Sequence, residues 1–378
     1  MIGMLIMKYT CDIILLSYEN PDLLERCVES VLENTAVSSR LIIVDNNSRN
    51  PEVKNYLKKI HGRGNIEIEK VFSEENAGFA GGMNKGLNLS TAPFVCLLNN
   101  DCEVYAGWLD EMIKIAMKED NIGLVNPQSN TFGCHEPLSV KDKRGRFIEL
   151  GHAIGFACLI KREVIDRIGI LDEAYEGVCY EDTDFSCRAA EAGFIAVMAE
   201  GAYVHHQEQA SRASLKGRKE IYQHNKELFE LRWGKLLRIL FVGSPYPHGS
   251  LIEDYQKLKN IARERSIIEM WTKNEEKIEI MDGLKSKNII KHADIGIRSF
   301  SEDIKALKLI NRVLTKKKRY DAVITRDVFL FRVLGLVSRL RHTKIFLLKD
   351  NKYLISGKGA VTDIKESSLL AQSLREDK

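Results

Sequence analysis

The stretch LLNNDCEV, residues 97–104, decides how this chain folds, because an apolar run ends there in two amides and a carboxylate. The run PFVCLLN (93–99) is typical of a buried strand, and Asn99, Asn100 and Asp101 stand at its end. Asn and Asp also favour turns for backbone reasons alone, so a plain turn is the alternative to a binding site. The strands elsewhere in the chain distinguish the two interpretations.

Strand-like and helix-like segments alternate through the first part of the chain. Runs rich in Ile, Val and Leu predict buried strands at 11–17, 40–45, 66–72 and 93–99. Between them, PDLLERCVESVLEN begins with proline and repeats apolar residues at helical spacing. This alternation predicts an α/β fold with a doubly wound, mostly parallel sheet, whose ligands bind beyond the carboxyl ends of the strands.

Polar residues follow three of these predicted strands. The clusters are Ser17-Tyr18-Glu19-Asn20, Asp45-Asn46-Asn47-Ser48 and Asn99-Asn100-Asp101. Because the carboxyl ends of parallel strands lie at one edge of a sheet, we expect the clusters to converge on one crevice. This convergence favours a binding site over three unrelated turns.

A second α/β pattern begins after residue 235. RILFVGSPYPHG (238–249) restarts with a strand and a loop rich in Gly and Pro, and YDAVITRD (320–327) is a further strand. We therefore predict a first domain over 1–235 and a smaller Rossmann-like α/β domain with a polar C-terminal tail over 236–378. The length of 378 residues also favours two domains.

The composition is that of a globular protein, with 44% hydrophobic and 29% charged residues. No apolar run approaches the ~18 residues that a membrane-spanning helix needs. The N-terminus does not resemble a secretory signal, since its short apolar patch lacks a preceding basic region. All eight cysteines lie between Cys11 and Cys187 without a CxxC pair, which indicates reduced thiols and a cytoplasmic protein.

Charge is unevenly distributed along the chain. Residues 1–235 carry a balance of −8 and residues 236–378 a balance of +11. The basic half favours a polyanionic partner or the inner face of a membrane, although a solvated basic surface is the alternative. The segment FLFRVLGLVSRLRH (329–342), which follows the basic cluster 316–319, suggests peripheral membrane association. Its apolar residues could equally form the core face of a β/α unit.

Eight segments, taken in order, resemble the family 2 glycosyltransferases with the GT-A fold, especially the rhamnosyltransferase-like branch. They are SYENPDLL, VDNNS, ENAGFAGGMNKGL, LLNNDCEV, GILDEAY, YEDTDFSCRAAEAGF, VHH with Ser211 downstream, and YQHNKELFELRWG, over roughly residues 11–234. The resemblance implies a GT-A nucleotide-diphospho-sugar transferase domain with a mixed sheet. The second domain faintly resembles the N-terminal half of a GT-B glycosyltransferase.

The resemblance also implies the reaction. It is an inverting, metal-dependent transfer of a sugar from a UDP- or dTDP-sugar, with rhamnose as one candidate. The acceptor is a glycan or a lipid-linked glycan, in surface polysaccharide or glycoconjugate synthesis.

Donor-binding residues follow from the resemblance and from the chemistry of a nucleotide-sugar. Tyr18 offers a ring face to the base, and Asp45 offers an acceptor to a base N–H or a ribose hydroxyl. A core tyrosine and a turn aspartate are the structural alternatives. The full donor-binding set is Ser17, Tyr18, Glu19, Asp45, Asn76, Gly81, Asn84, Asn99 and Asn100.

A metal site is implied at LLNNDCEV, which carries a variant of the D-x-D motif. Asn99 stands in its first place and contacts ribose, and Asp101 stands in its last place and ligates Mg²⁺ or Mn²⁺, which neutralises the diphosphate. His205 completes the metal or diphosphate site, with His206 as the second candidate.

The catalytic base is implied in YEDTDF. An inverting transfer needs a base beside the acceptor hydroxyl, and by the resemblance this base is Asp182. The role of Glu181 stays open. For Asp184 a structural role is favoured, since acidic residues also favour helix starts.

Two other functions compete with transfer. A sugar nucleotidyltransferase would show a Gly-rich, basic loop after its first strand, which SYENPDLL lacks. A non-catalytic nucleotide-sugar or carbohydrate-binding scaffold is the remaining alternative, and the joint presence of Asp101, Asp182 and His205 argues against it. We expect no nucleic-acid partner, and a homodimer is a further expectation.

Overall fold

The chain forms two compact units in the computed structural model, Met1–Trp233 and Gly234–Lys378. The structure describes residues 8–133, 137–177, 179–207, 217–243, 250–300, 311, 313, 320–338, 343–349, 352–355, 363–364, 370–371 and 374–375. Ser211 and the basic cluster 316–319 of the sequence analysis lie outside these residues.

The first unit is a mixed α/β sheet flanked by helices, as the sequence predicted. Its strands are β1 Cys11–Ser17, β2 Ser39–Asp45, β3 Ile66–Phe72, β4 Phe94–Asn99, β5 Cys102–Val104, β6 Ile122–Gln128, β7 Phe147–Leu150, β8 Ala157–Lys161 and β9 Ile195–His206. Its α-helices are α1 Pro21–Asn34, α2 Pro51–Lys59, α3 Gly78–Leu89, α4 Trp108–Ala116, α5 Arg162–Ile168, α6 Glu181–Glu191 and α7 Arg218–Trp233. A 3-10 helix spans Pro137–Lys143.

The strand order in this sheet is β3-β2-β1-β4-β8-β6-β9-β5, with β7 also paired to β9. The pairs among β1, β2, β3 and β4 are parallel, and β8 is antiparallel to both β4 and β6. Successive side chains of β1 and β2 enter two different cores, because side chains alternate between the faces of a strand. Ile13 and Leu41 belong to one core, and Ile14 and Ile42 to the other. Burial on both faces explains why these strands read as continuous apolar runs.

The chain turns from strand to helix through short polar segments. Asn20 adopts a left-handed conformation before α1, which begins at Pro21. Asn50 accepts a hydrogen bond from the backbone N–H of Glu52 and so caps α2, which begins at Pro51. Proline suits the first helical turn because its missing N–H has no partner there in any case.

The second unit is a seven-stranded sheet in the order β12-β11-β10-β13-β14-β15-β16. Its strands are β10 Leu237–Val242, β11 Ser266–Lys273, β12 Ile295–Phe300, β13 Ala322–Thr325, β14 Lys344–Lys349, β15 Lys352–Ile355 and β16 Asp363–Ile364. Its described α-helices of eight or more residues are α8 Ser250–Arg263, α9 Asn274–Ser286 and α10 Val328–Ser338. The first five strands in this order are parallel to one another. The sheet is doubly wound, because β11 and β12 lie on one side of β10 and the later strands lie on the other side.

The segment after residue 350 is more than a polar tail. It supplies β15 and β16, and Leu370, Ala371 and Leu374 are buried in the core of the second unit. Among the described residues, no helix combines the length and the hydropathy that crossing a membrane requires.

Asp12 closes the amino end of β1 in the first unit. Its fully buried carboxylate accepts two hydrogen bonds from the Arg40 guanidinium, at 2.9 and 3.0 Å. The backbone N–H groups of Thr91 and Ala92 donate to Asp12 Oδ2 at 2.6 and 2.9 Å. One carboxylate therefore joins β1, β2 and the turn before β4.

Replacing Asp12 by alanine should destabilise the first unit. The change removes the buried partner of the Arg40 guanidinium, which keeps only its partly exposed pair with Glu69 at 2.9 Å, and it leaves two N–H groups unsatisfied. Breaking a buried ion pair costs about 3–5 kcal/mol. We expect calorimetry to show the unfolding midpoint of this unit lowered by about 6–12 °C or more. The control is Glu67→Gln, which affects only solvent-exposed contacts, with Lys8 and Tyr9. Equal midpoints for the two variants would contradict this account.

Candidate active site

Three strand ends meet at the carboxyl edge of the first sheet. In the parallel register Ser17 lies opposite Asp45, and Leu16 lies opposite Asn99. The strand order reverses direction at β1, so this edge is the topological switch point where open α/β sheets bind ligands. The structure therefore brings together the three polar clusters that the sequence placed in one crevice.

Two oxygens at this edge are buried without a hydrogen-bond partner among the described residues. They are the hydroxyl of Ser17, a residue with 0% exposure, and the side-chain Oδ1 of Asn99. Buried polar atoms are nearly always hydrogen-bonded in folded proteins, so an unpartnered pair at a strand edge indicates a place for a polar ligand.

Asp101 and His206 form a buried acid–imidazole pair next to Asn99. His206 Nε2 lies 3.3 Å from Asp101 Oδ1, and the two side chains are 3% and 9% exposed. The ring of Phe156 stacks on His206 with centroids 5.0 Å apart. The Cys102 thiol lies in the same group, within 4.8 Å of both, but it donates to the backbone oxygen of Phe156.

This donor set fits a divalent cation. A carboxylate oxygen and an imidazole nitrogen face each other in a buried position, and hard cations prefer such oxygen ligands over thiols. Asp101 and His206 are therefore the two side chains that could hold Mg²⁺ or Mn²⁺.

The sequence analysis favoured His205 over His206 for this role, but in the structure it is His206 that lies next to Asp101. β5 pairs with β9 so that His206 lies opposite Cys102 and His205 lies opposite Glu103. Because side chains alternate along a strand, His205 projects to the other face of the ribbon. Two adjacent histidines at a strand end cannot be ranked without this register.

The glycine-rich segment forms α3 beside the strand edge. The Asn46 side chain donates to Asn76 Oδ1 and to the Gly78 carbonyl, both at 2.9 Å, and accepts from the Ala77 N–H. Glycine is needed along α3 because a Cβ on Gly82 would lie 2.4 Å from the Leu16 side chain. These contacts hold the helix start directly over the end of β1.

Several predicted donor-binding residues make internal contacts. Asn84 donates to the Leu171 carbonyl and to Glu173 Oε1, and accepts from the Leu171 N–H, so it ties α3 to the loop after α5. A Cβ on Gly81 would lie 3.5 Å from the same Glu173 carboxylate. Asn84 is 2% exposed, and these contacts use its side chain for packing.

The loops after β1 and β2 are joined in a similar way. The Glu19 carboxylate accepts the N–H groups of Arg49 and Asn50, and Asp45 Oδ1 accepts the N–H of Ser48. Tyr18 remains 40% exposed at the mouth of the crevice. The ring of Tyr18 is therefore available to a ligand, while Glu19 shapes the loop.

Asp182 is hydrogen-bonded to the backbone segment that packs on His206. Its Oδ2 accepts the N–H of Gly155 at 2.9 Å, and its Oδ1 accepts the N–H and hydroxyl of Thr183. Gly155 precedes Phe156, whose ring stacks on His206 and whose carbonyl accepts the Asn99 N–H. One short backbone segment thus links the predicted base to Asn99 and to His206.

Glu181 and Asp184 occupy different surroundings although both begin α6. Glu181 is 5% exposed, and its Oε2 has no hydrogen-bond partner among the described residues. Burial, followed by the neighbouring Asp182 charge, raises the pKa of Glu181 to about 8. Asp184 is fully buried and accepts from Arg188, Arg232 and the Trp233 indole, at 2.7 to 2.9 Å. These bonds give Asp184 the structural role that the sequence analysis favoured.

Helix α7 contributes residues that the sequence analysis did not single out. The side chain of Asn225, 0% exposed, donates to the carbonyls of Glu176 and Cys179 and accepts the Glu176 N–H. Arg232 and Trp233 bind Asp184. The motif YQHNKELFELRWG was recognised as a whole, but no pattern in it marks Asn225 as a loop anchor.

Comparison with known proteins finds similarity in the first unit. Residues 12–169 match the family model described as Glycosyl transferase family 2. An uncharacterized protein, y4gI of Sinorhizobium fredii (strain NBRC 101917 / NGR234), is 27% identical over 225 residues, which cover 53% of this chain. The aligned part of this chain spans only 25% of that relative's length.

Two solved structures are similar in part. The mannosyltransferase PcManGT of Pyrobaculum calidifontis, in complex with GDP-Man and Mn²⁺, aligns with a TM-score of 0.47 and 16% identity, over 61% of this chain and 66% of its own. GalNAc-T7 with UDP, GalNAc and Mn²⁺ aligns with a TM-score of 0.45 and 14% identity, over 59% of this chain and 50% of its own. The match to the glycosyl transferase family 2 model over residues 12–169 therefore covers the larger part of the first unit and less than half of the chain.

Proposed function

We propose that this chain is an inverting, metal-dependent glycosyltransferase that uses a nucleotide-sugar, either a UDP- or a dTDP-sugar, with rhamnose as one candidate. Its acceptor is a glycan or a lipid-linked glycan. The observation that carries the proposal is the pair of unpartnered buried oxygens, Ser17 Oγ and Asn99 Oδ1, beside the Asp101–His206 pair. A polar ligand at this edge relieves a cost of about 1–3 kcal/mol for each unsatisfied group.

Each part of a nucleotide-sugar has a suitable partner at the crevice. Tyr18 is exposed enough to stack on the base, and Ser17 and Asn99 have free acceptor atoms for donor hydroxyls. Asp101 and His206 would hold Mg²⁺ or Mn²⁺, which would neutralise the charge on the diphosphate leaving group.

Asp182 is the base in this proposal. The acceptor hydroxyl oxygen bonds to the anomeric carbon from the face opposite the diphosphate, while the bond from that carbon to the diphosphate oxygen breaks. The hydroxyl proton passes to Asp182, and the nucleoside diphosphate leaves. Hydrogen bonds from Gly155 and Thr183 orient the carboxylate and leave lone pairs for this proton.

Glu181 is less suited to be the base at neutral pH. Its pKa of about 8 keeps the carboxyl mostly protonated at pH 7, so little of it is in the form that can take the proton of the acceptor hydroxyl. Neighbouring carboxyls whose pKa values are pushed apart by their surroundings commonly divide the acid and base roles.

A non-catalytic scaffold is the alternative function, and it would need no positioned base.

Peripheral membrane association and a homodimer stay predictions. On α10, Phe329 and Leu336 are 66% and 77% exposed while Leu330 and Leu334 are buried, so the helix has both a core face and an apolar outer face.

Removing one metal ligand should weaken cation binding. We expect His206→Ala and Asp101→Asn to reduce the affinity for Mn²⁺ in the presence of UDP or dTDP by at least about tenfold. Even the loss of a residue that only hydrogen-bonds to a metal ligand lowers the metal affinity by this much. Isothermal titration calorimetry measures the effect. His205→Ala is the matched control, because its side chain lies on the other face of β9. Loss of Mn²⁺ binding in His205→Ala alone would restore the original assignment.

Replacing the base should separate binding from chemistry. Asp182→Asn is expected to slow sugar transfer by about 10²–10⁴-fold, the usual contribution of a positioned base. Donor binding, followed by nucleotide-sugar titration, should persist. Asp166→Asn, an exposed carboxylate on α5, is the control. Near-normal turnover in Asp182→Asn would mean that another group takes the proton.

Glu181 should make stability fall as pH rises. The folded chain keeps this proton up to about pH 8, whereas the unfolded chain releases it near 4.3, so native stability is lost progressively between these values. Glu181→Gln removes the loss, and its melting temperature should exceed that of the parent by more at pH 8.5 than at pH 5. The control is Glu191→Gln, at the exposed end of the same helix. A difference that does not change with pH would contradict the raised pKa.

A further inference from the structure

Two tyrosine rings pair between the loop that precedes α6 and helix α7, close in sequence to the carboxylate proposed as the base. The ring centroids of Tyr180 and Tyr222 are 5.6 Å apart, and the Tyr180 hydroxyl donates to the Tyr222 hydroxyl at 3.3 Å. Tyr222 is 47% exposed, so much of its ring is open to solvent. Tyr180 stands two residues before Asp182, which places their Cα atoms at most about 7 Å apart.

The backbone that presents Tyr180 is strained. Cys179 and Tyr180 have φ angles of 92° and 77°, a region that residues other than glycine rarely adopt. Strained residues persist where the surrounding structure over-determines them, and they cluster at functional sites. An unstrained chain would aim the Tyr180 ring elsewhere.

Helix α7 holds this strained segment in place. Asn225 donates to the Cys179 carbonyl at 3.1 Å and to the Glu176 carbonyl at 2.8 Å. Phe229, which is 2% exposed, packs on Tyr180 with ring centroids 5.0 Å apart. Packing is thus supplied by Phe229, and the exposed Tyr222 ring is not needed for it.

Polar side chains continue from the tyrosines along the same face of α7. Lys226 and Glu230 follow Tyr222 at spacings of four and eight residues, which share one helix face. The Lys226 ammonium lies 3.9 Å from Glu230 Oε1. The face therefore combines an aromatic surface with a hydrogen-bond donor and an acceptor.

We propose that Tyr180 and Tyr222, with Lys226 beside them, form the subsite for the acceptor, a pyranose sugar whose C–H face packs on the rings. This inference rests on the proposed function, which requires an acceptor hydroxyl next to Asp182. The face of an aromatic ring is electronegative and attracts the C–H groups of a pyranose, while the hydroxyls at the sugar's rim remain for polar partners.

Saturation-transfer NMR on the full chain tests the subsite directly. The probes are methyl α- and β-hexopyranosides of the gluco, galacto, manno, N-acetylglucosamine and rhamno series. At least one glycoside should receive saturation at its ring protons, and Tyr222→Ala should weaken its apparent affinity by roughly five- to tenfold. Tyr222→Phe keeps the ring and should retain most of the binding.

Tyr105→Ala is the matched control. Tyr105 is 41% exposed and pairs edge-to-face with Tyr203, so it is a second exposed tyrosine of an aromatic pair. The proposal is overturned if no glycoside binds the parent chain, if Tyr222→Ala binds as well as the parent, or if Tyr105→Ala weakens binding equally.

Binding of UDP and dTDP with Mn²⁺ in the same samples separates this inference from the proposed function. Glycoside binding without nucleotide binding would support the subsite and contradict the donor assignment. Nucleotide binding without glycoside binding would contradict the subsite alone.

Discussion

The parallel pairing of β1 between β2 and β4 is the constraint on which the rest of the site depends. Its register aligns Ser17 with Asp45 and Leu16 with Asn99, so three polar strand ends share one edge. Both faces of these strands are buried, and a slip by one residue would exchange the apolar side chains of the two cores. The hydrophobic pattern therefore holds the polar ends in position, and the bidentate Asp12–Arg40 pair secures the opposite end of β1.

Backbone segments connect the separate parts of the site more than side-chain pairs do. The N–H of Gly155 donates a hydrogen bond to Asp182. The carbonyl of the next residue, Phe156, accepts the Asn99 N–H, and the Phe156 ring stacks on His206. The proposed base and the proposed cation ligands consequently keep fixed relative positions, as the proposed transfer requires.

Helix α7 extends the first unit beyond the residues that the family model covers. Asn225 donates a hydrogen bond to the strained loop, and Phe229 packs on Tyr180 of the same loop. At the end of this helix, Arg232 and Trp233 donate hydrogen bonds to Asp184. The acidic loop is therefore positioned by hydrogen bonds from a distant part of the chain.

The sequence by itself determined the alternation of strands and helices, the two-part organisation, and the convergence of residues such as Ser17, Asp45 and Asp101. These follow from local periodicity and from the rule that parallel strand ends share an edge. Only the tertiary structure places His206, and not His205, beside Asp101, because that placement depends on the register of β5 with β9. It also showed that the Asn84 side chain hydrogen-bonds to the loop after α5 and that Glu181 lies buried beside the Asp182 charge. Asn225, in turn, hydrogen-bonds to the loop before α6. Each of these depends on contacts between residues far apart in the chain, which no local pattern records.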